Sequence, residues 1–207
     1  GIDMDALSSL TAEDLFGRIP KLSARVSDVG DFQTEDCSLF AVNSSYTNIV
    51  DKSFIMWDDA SGSSDKCLEQ LEMQTNSCII AKALADSLGI TELGQKIRLN
   101  IYNSKQTSAP ANLSIFTVVG ISTGLPGTFN FRTGKAIVYA GTAGVLLNFN
   151  DYSRLMQWGN MSTSSTPVDK ILIKVIDNSL TNLKYMQTYI QDYFEDNYRF
   201  ILDETET

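Results

Sequence analysis

The residues able to do chemistry are limited first by what is missing. The 207-residue chain contains no histidine. Histidine is the usual general base near neutral pH and the usual nitrogen ligand for metals. Ser-His-Asp and Cys-His catalysis are therefore excluded within the chain. What remains is Ser-Lys, paired-carboxylate or purely acidic metal chemistry. Gly120-Ile121-Ser122-Thr123-Gly124 has the spacing of a nucleophile elbow and follows a strand-like run. An elbow also needs a helix straight after the serine. Leu125-Pro126-Gly127 argues against one, so the spacing reads as chance. Ser63 and Lys66 have serine–lysine spacing, but the companion S-D-N and K-T-G motifs are missing, and the segment reads as a solvated loop entering a helix. Asp58, Asp59, Asp65 and Glu69 could gather round a cation, yet EF-hand spacing is absent and a solvated acidic face is expected.

The cysteines are Cys37, Cys67 and Cys78, with no C-x-x-C spacing, so thioredoxin-like and zinc-ribbon readings fail. One disulfide with a free thiol (Cys67 and Cys78 being nearest in sequence) and three buried thiols both fit. The stretch from Gly120 to Gly127 is glycine-rich, but it lacks a phosphate-loop lysine and G-x-G-x-x-G spacing. It reads as a flexible connection. Phe129, Phe131, Trp158 and Met161 read as core residues, with a loop-borne contact patch as the alternative. Three N-x-S sequons, at Asn43, Asn112 and Asn160, add little in a chain rich in Asn and Ser. No catalytic, cofactor-binding or metal-binding residue is assigned, and no cofactor is expected.

The composition is that of a folded domain: 43% hydrophobic and 20% charged residues. The net charge is −9. Nucleic-acid affinity rests on Lys and Arg neutralising phosphates, so nucleic acid is not an expected partner. No apolar run approaches the ~20 residues of a membrane-spanning helix.

The elements that would position these residues follow from periodicity. Ile2, Ala6, Leu7 and Leu10 form a helix-like stripe, and Thr11 with Asp14 resembles a capping box before Leu15 and Phe16, with Pro20 as the stop. Leu22, Ala24 and Val26 alternate as in a strand, and Ser38 to Asn43 reads as another, with a turn between them. Phe54 to Trp57 is a short apolar piece. A helix is expected from the Ser61–Asp65 loop to about Met73. Cys78 to Ile80 is a strand, Ala81 to Leu88 a helix, and Gly89 its C-terminal cap. Gly94 marks a turn. Lys96 to Ile101 alternates strictly, and Ile115 to Ile121 is a stronger strand. Ala136 to Tyr139 is a strand, and Asp151 caps a helix to about Trp158. Ile171 to Ile176, a helix from about Leu180 to Asp196, and Arg199 to Leu202 form a closing β-α-β unit.

The string Cys78-Ile79-Ile80-Ala81-Lys82-Ala83-Leu84-Ala85-Asp86-Ser87-Leu88-Gly89-Ile90, then Leu93-Gly94-Gln95-Lys96-Ile97-Arg98-Leu99, then Phe116-Thr117-Val118-Val119-Gly120-Ile121, resembles one family. It looks like the extracytoplasmic (periplasmic core) domain of MacB-like and FtsX-like ABC-transporter permeases. Leu39 to Asn43 and Ala136 to Tyr139 resemble two further strands of such domains, although Ala41 and Asn43 depart from the commoner Gly and Asp. The resemblance implies an α+β, two-lobed fold. A porter-like α/β lobe would come from both chain ends, about 1–89 plus 165–207, with a mainly-β lobe inserted at about 90–164. It also implies a non-enzymatic domain on the outer side of the cell membrane, coupling ATP-driven helix motion to an external substrate or partner protein. Implied partners are an ABC ATPase subunit, reached only indirectly through membrane spans, and a second permease copy or a paired permease. A stand-alone extracellular ligand-binding module is the alternative, and a carboxylate hydrolase is the third reading.

Overall fold

In the computed structural model, the described residues are 16–29, 34–43, 45–50, 55–61, 64–101, 111–125, 143–159 and 168–173, with 179, 181, 182, 184, 185, 187 and 188. Among the described residues there are eight strands: β1 (Phe16–Asp28), β2 (Thr34–Val42), β3 (Met56–Trp57), β4 (Ser77–Ala81), β5 (Lys96–Ile101), β6 (Ile115–Gly124), β7 (Gly144–Asn148) and β8 (Val168–Ile173). The helices are α1 (Ser45–Ile49), α2 (Ser64–Met73), α3 (Lys82–Ser87), α4 (Ala111–Ser114) and α5 (Phe149–Trp158).

Six strands close into a mixed barrel. The sheet runs β2-β7-β4-β6-β5-β1, and β1 also pairs with β2, which shuts the ring. β2–β7 and β4–β6 are parallel and the other four pairings are antiparallel. The thirteen-residue β1 makes this possible. Its C-terminal half pairs with β2 on one side and β5 on the other, while its first residues pair with β8. Three of the ring strands precede residue 90 and three follow it.

Register sorts the side chains, because opposed residues share a face. Ala24 lies opposite Cys37 and Ile101, Val118 opposite Cys78, and Ile80 opposite Ile121 and Val145. These, with Leu39, Ile97, Leu99 and Phe116, fill the interior. A six-stranded ring is narrower than the ~8 strands that side chains just fill, so it is a packed core and no lumen. Each fully buried Leu, Ile or Phe contributes about 1.5–3 kcal/mol. The outer face carries the row Phe40, Leu146, Ile79 and Gly120. α2 packs over β4 and β6, and α5 over β2 and β7.

Several expected elements form where periodicity placed them. β5 buries alternate residues, Ile97, Leu99 and Ile101. α3 ends in a Schellman arrangement: Gly89, at φ +67°, donates to Asp86 O, and Ile90 N–H donates to Ala85 O at 2.8 Å. Gly94 has φ +91° and donates to Val118 O at 2.8 Å.

Others are corrected. Phe16 to Pro20 is not the end of a helix but the first part of β1, paired with β8. Pro20 sits at a register shift after Ile19, where a strand tolerates a residue without an N–H. Ala81 closes β4 and does not open the helix. β6 runs on to Gly124 because β3 pairs there. β8 starts at Val168, three residues before the expected Ile171, because β1 supplies its partner. β7 was not expected at all. The stripe at 2–10, the strands at 136–139 and 199–202, and Phe129, Phe131 and Met161 lie outside the described residues.

Candidate functional site

The sequence-derived candidates are not brought together. Ser122 lies inside β6 and is fully buried. Its Oγ donates to Gly124 O at 3.0 Å and accepts from Gly124 N–H at 3.1 Å. A serine tied to its own strand is no exposed nucleophile on a strand-to-helix turn. Lys66 is exposed on α2, and Ser63 lies outside the described residues. Asp59 and Glu69 are exposed, and among the described residues no three His, Cys, Asp or Glu gather as a metal site.

The cysteines are three free, buried thiols. A Cys67–Cys78 bond is geometrically closed off. Cys78 faces the barrel interior, whereas Cys67 sits on α2 over the outer face and donates to Ser61 O at 3.4 Å. Burial pushes the Cys37 thiol up to about 12, helped by the Asp36 carboxylate. Burial, then Asp151 and Cys37, pushes Cys78 further in the same direction. These are inert thiols.

What the fold does assemble lies outside the barrel, where three distant segments meet. Asn148 caps α5: its Oδ1 accepts from Asp151 N–H at 2.8 Å, and its Nδ2 donates to Leu71 O at 3.0 Å. Asp151, expected as the cap, sits three residues further in and is 2% exposed. Its Oδ2 accepts from Asn76 N–H at 2.8 Å, and Arg154 bridges Asp151 and Asn76 Oδ1. Asn76 is left-handed (φ +59°), a conformation Asn tolerates better than most residues. The network clamps the start of α5 to the end of α2 and the α2–β4 turn.

Between these elements and the β2–α1 corner lies a groove of about 180 Å³. Val42, Tyr46, Leu68, Leu71 and Phe149 give it an apolar surface, and Asn43, Thr47, Glu72, Asn148 and Asn150 supply polar groups. Tyr46 is buried and its hydroxyl is pushed above the ordinary tyrosine range by loss of solvation. Glu72 is exposed and, among the described residues, is the one charged side chain lining the groove. Trp158 ends α5 half-buried against the core, not on an exposed loop. Among the described residues, no helix is long and apolar enough to cross a membrane.

No family model matches the chain, and no curated protein matches it. Among the solved structures that are similar, three are described. The first is the extracellular domain of the noncanonic ABC-type transporter YknZ from Gram-positive bacteria, with 14% identity and a TM-score of 0.48, covering 93% of this chain and 82% of that one. The second is the periplasmic region of MacB from Actinobacillus actinomycetemcomitans, with 9% identity and a TM-score of 0.49, covering 93% and 74%. The third is a domain described as that of a permease protein from Porphyromonas gingivalis, with 15% identity and a TM-score of 0.45, covering 92% and 76%. The similarity to these extracellular and periplasmic transporter domains extends over 92–93% of this chain.

Proposed function

We propose that this chain is the non-catalytic extracytoplasmic domain of an ABC-transporter permease subunit. It would stand on the outer side of the cell membrane and couple ATP-driven motion of membrane helices to an external substrate or partner protein. The ATPase would act from the other side, through membrane spans, and a second or paired permease would complete the assembly. No residue is given a catalytic, cofactor or metal role. What supports the proposal most directly is the segment 78–121. The residues that resemble the family fall on β4, α3, β5 and β6 in that order, and two glycines of the resemblance, Gly89 and Gly94, hold the positive φ angles that its turns require. A two-lobed layout, with lobes at about 1–89 plus 165–207 and 90–164, belongs to the same proposal. Lobes divided there share the barrel, which takes strands from both.

The test uses the full-length gene product in its host. Met73 is 76% exposed and the native thiols are buried. A Met73→Cys variant, treated with a membrane-impermeant maleimide on intact cells, is expected to label without lysis, to stay with the membrane fraction, and to co-purify with an ATPase. Labelling only after lysis sinks the extracytoplasmic placement. Release as a secreted chain without spans sinks the permease and favours the stand-alone binding module, for which the groove beside Tyr46 is the supporting observation.

A further inference from the structure

We infer that the groove between α1, α2 and α5 is a socket for one arginine side chain of a basic partner polypeptide. Size comes first. At about 180 Å³ the groove is close to the ~150 Å³ cavity that admits benzene and well below the ~300–1,000 Å³ of a drug-sized site. It takes one side chain, not a cofactor.

Chemistry selects which one. Val42, Leu68 and Leu71 offer an apolar wall suited to a methylene stem. The half-buried Phe149 ring, whose centroid lies 6.4 Å from that of Tyr152, also lines the groove, and aromatic rings attract a planar guanidinium. Glu72 supplies the carboxylate, exposed and with no salt-bridge partner among the described residues. Among the described residues no Lys or Arg lines the groove, and exposed Glu69 lies one turn earlier on α2. With a chain charge of −9, the field favours a basic partner and opposes an acidic one. Guanidinium is favoured over ammonium because it both stacks and binds carboxylate in a planar fork.

The socket is also preformed. Asn148, in its wall, is held by Leu71 O and by Asp151, so little ordering is needed on binding. This inference rests on the groove alone and holds or falls separately from the permease proposal.

The experiment is a polarisation titration of the folded chain at low salt with four fluorescent Gly-Ser peptides carrying a central Arg, Lys, Gln or Glu. The Arg peptide is expected to bind best and the Glu peptide least. Glu72→Gln should weaken the Arg peptide about tenfold, as expected for a charge-assisted contact. Glu69→Gln should change it less than about twofold, since an exposed charge outside the groove contributes little. Phe149→Leu, which keeps an apolar wall, should erase the preference for Arg over Lys. Glu72 is exposed, so Glu72→Gln is expected to fold, and its thermal midpoint verifies that. Equal binding of the Arg, Lys and Gln peptides overturns the inference. So does unchanged affinity in Glu72→Gln, or a loss as large in Glu69→Gln.

Discussion

Ser61 and Ile121, sixty residues apart, hold each other twice: Ser61 Oγ donates to Ile121 O at 2.7 Å and accepts from Ile121 N–H at 2.6 Å. The hydroxyl stands in for a neighbouring strand where β3 ends beside β6. Asp58 N–H also donates to the Ile121 carbonyl, at 3.0 Å. Ser61→Ala therefore leaves the carbonyl a partner but strands the buried amide. The expected cost is about 1–3 kcal/mol. Urea denaturation measures the loss, and hydrogen exchange should quicken at the Ile121 amide. An unchanged midpoint would show that water replaces the hydroxyl.

Two kinds of glycine are separable by alanine substitution. At Gly89 an added Cβ meets nothing within 4 Å, so only the left-handed backbone resists it. Gly89→Ala should cost about 1 kcal/mol, and Gly89→Asn less, because Asn tolerates that conformation. At Gly120 a Cβ would fall 2.9 Å from Trp57 Cζ3 and 3.1 Å from both Cys67 Cβ and Ile79 Cγ1. Gly120→Ala should cost about 1–3 kcal/mol by overpacking. In thermal melts, trimming Trp57 to Leu should recover part of the Gly120→Ala loss and none of the Gly89→Ala loss.

Asp151 is expected to matter more than Arg154, although the two are paired. Asp151→Ala strips acceptors from Asn76 N–H and the Asn148 side chain, both partly buried, at about 2–3 kcal/mol. Arg154 is 36% exposed, and Arg154→Ala leaves those bonds standing. Its loss leaves the buried carboxylate with the Asn76 and Asn148 donors only, so it should cost about 1–2 kcal/mol, still less than Asp151→Ala. Equal destabilisation of the two variants in urea would mean that the ion pair, not the clamp on Asn76, secures α5.

Stability should decline on the alkaline side. Cys37 is held up to about 12 by burial and by Asp36, and Cys78 is raised further. Both thiols stay protonated in the fold. Their contribution is complete below the unfolded thiol value of about 8.5 and is lost as pH rises from there toward 12. Buried Tyr152, raised to about 12, and Tyr46 add to the loss above about pH 10. Denaturation midpoints between pH 7 and 10.5 should be flat at first and then fall. The double variant Cys37→Ala/Cys78→Ala should fall less steeply between pH 8.5 and 10. A thiol reagent should stay unreactive until denaturant is added.

The sequence made some of this legible and concealed the rest for identifiable reasons. β5 was readable because one face of Lys96–Ile101 is buried, which forces strict alternation. The end of α3 was readable because a left-handed cap needs a glycine. β7 was not, because Gly144–Leu147 is buried on both faces and so carries no alternation. Its signal was only Val145-Leu146-Leu147 between a glycine and a helix-capping Asn148. Asp151 reads as a cap from sequence because it is an acidic residue at the start of a helical stretch, but the cap is Asn148, three residues earlier. Its burial depends on Asn76, 75 residues away. The groove draws on residues 42–47, 68–72 and 148–150, which no local pattern connects.

The place of β7 has a consequence in time. Its residues 144–148 sit between β2 and β4, strands that end at Val42 and Ala81. A ribosome extends a chain from the N-terminus, so both neighbours emerge long before the strand that joins them. Until then each presents an open hydrogen-bonding edge. Contacts so far apart in sequence also slow closure. The nascent chain therefore passes through an interval in which the ring lacks its last stave, and that interval is when it is most exposed to mispairing with another copy.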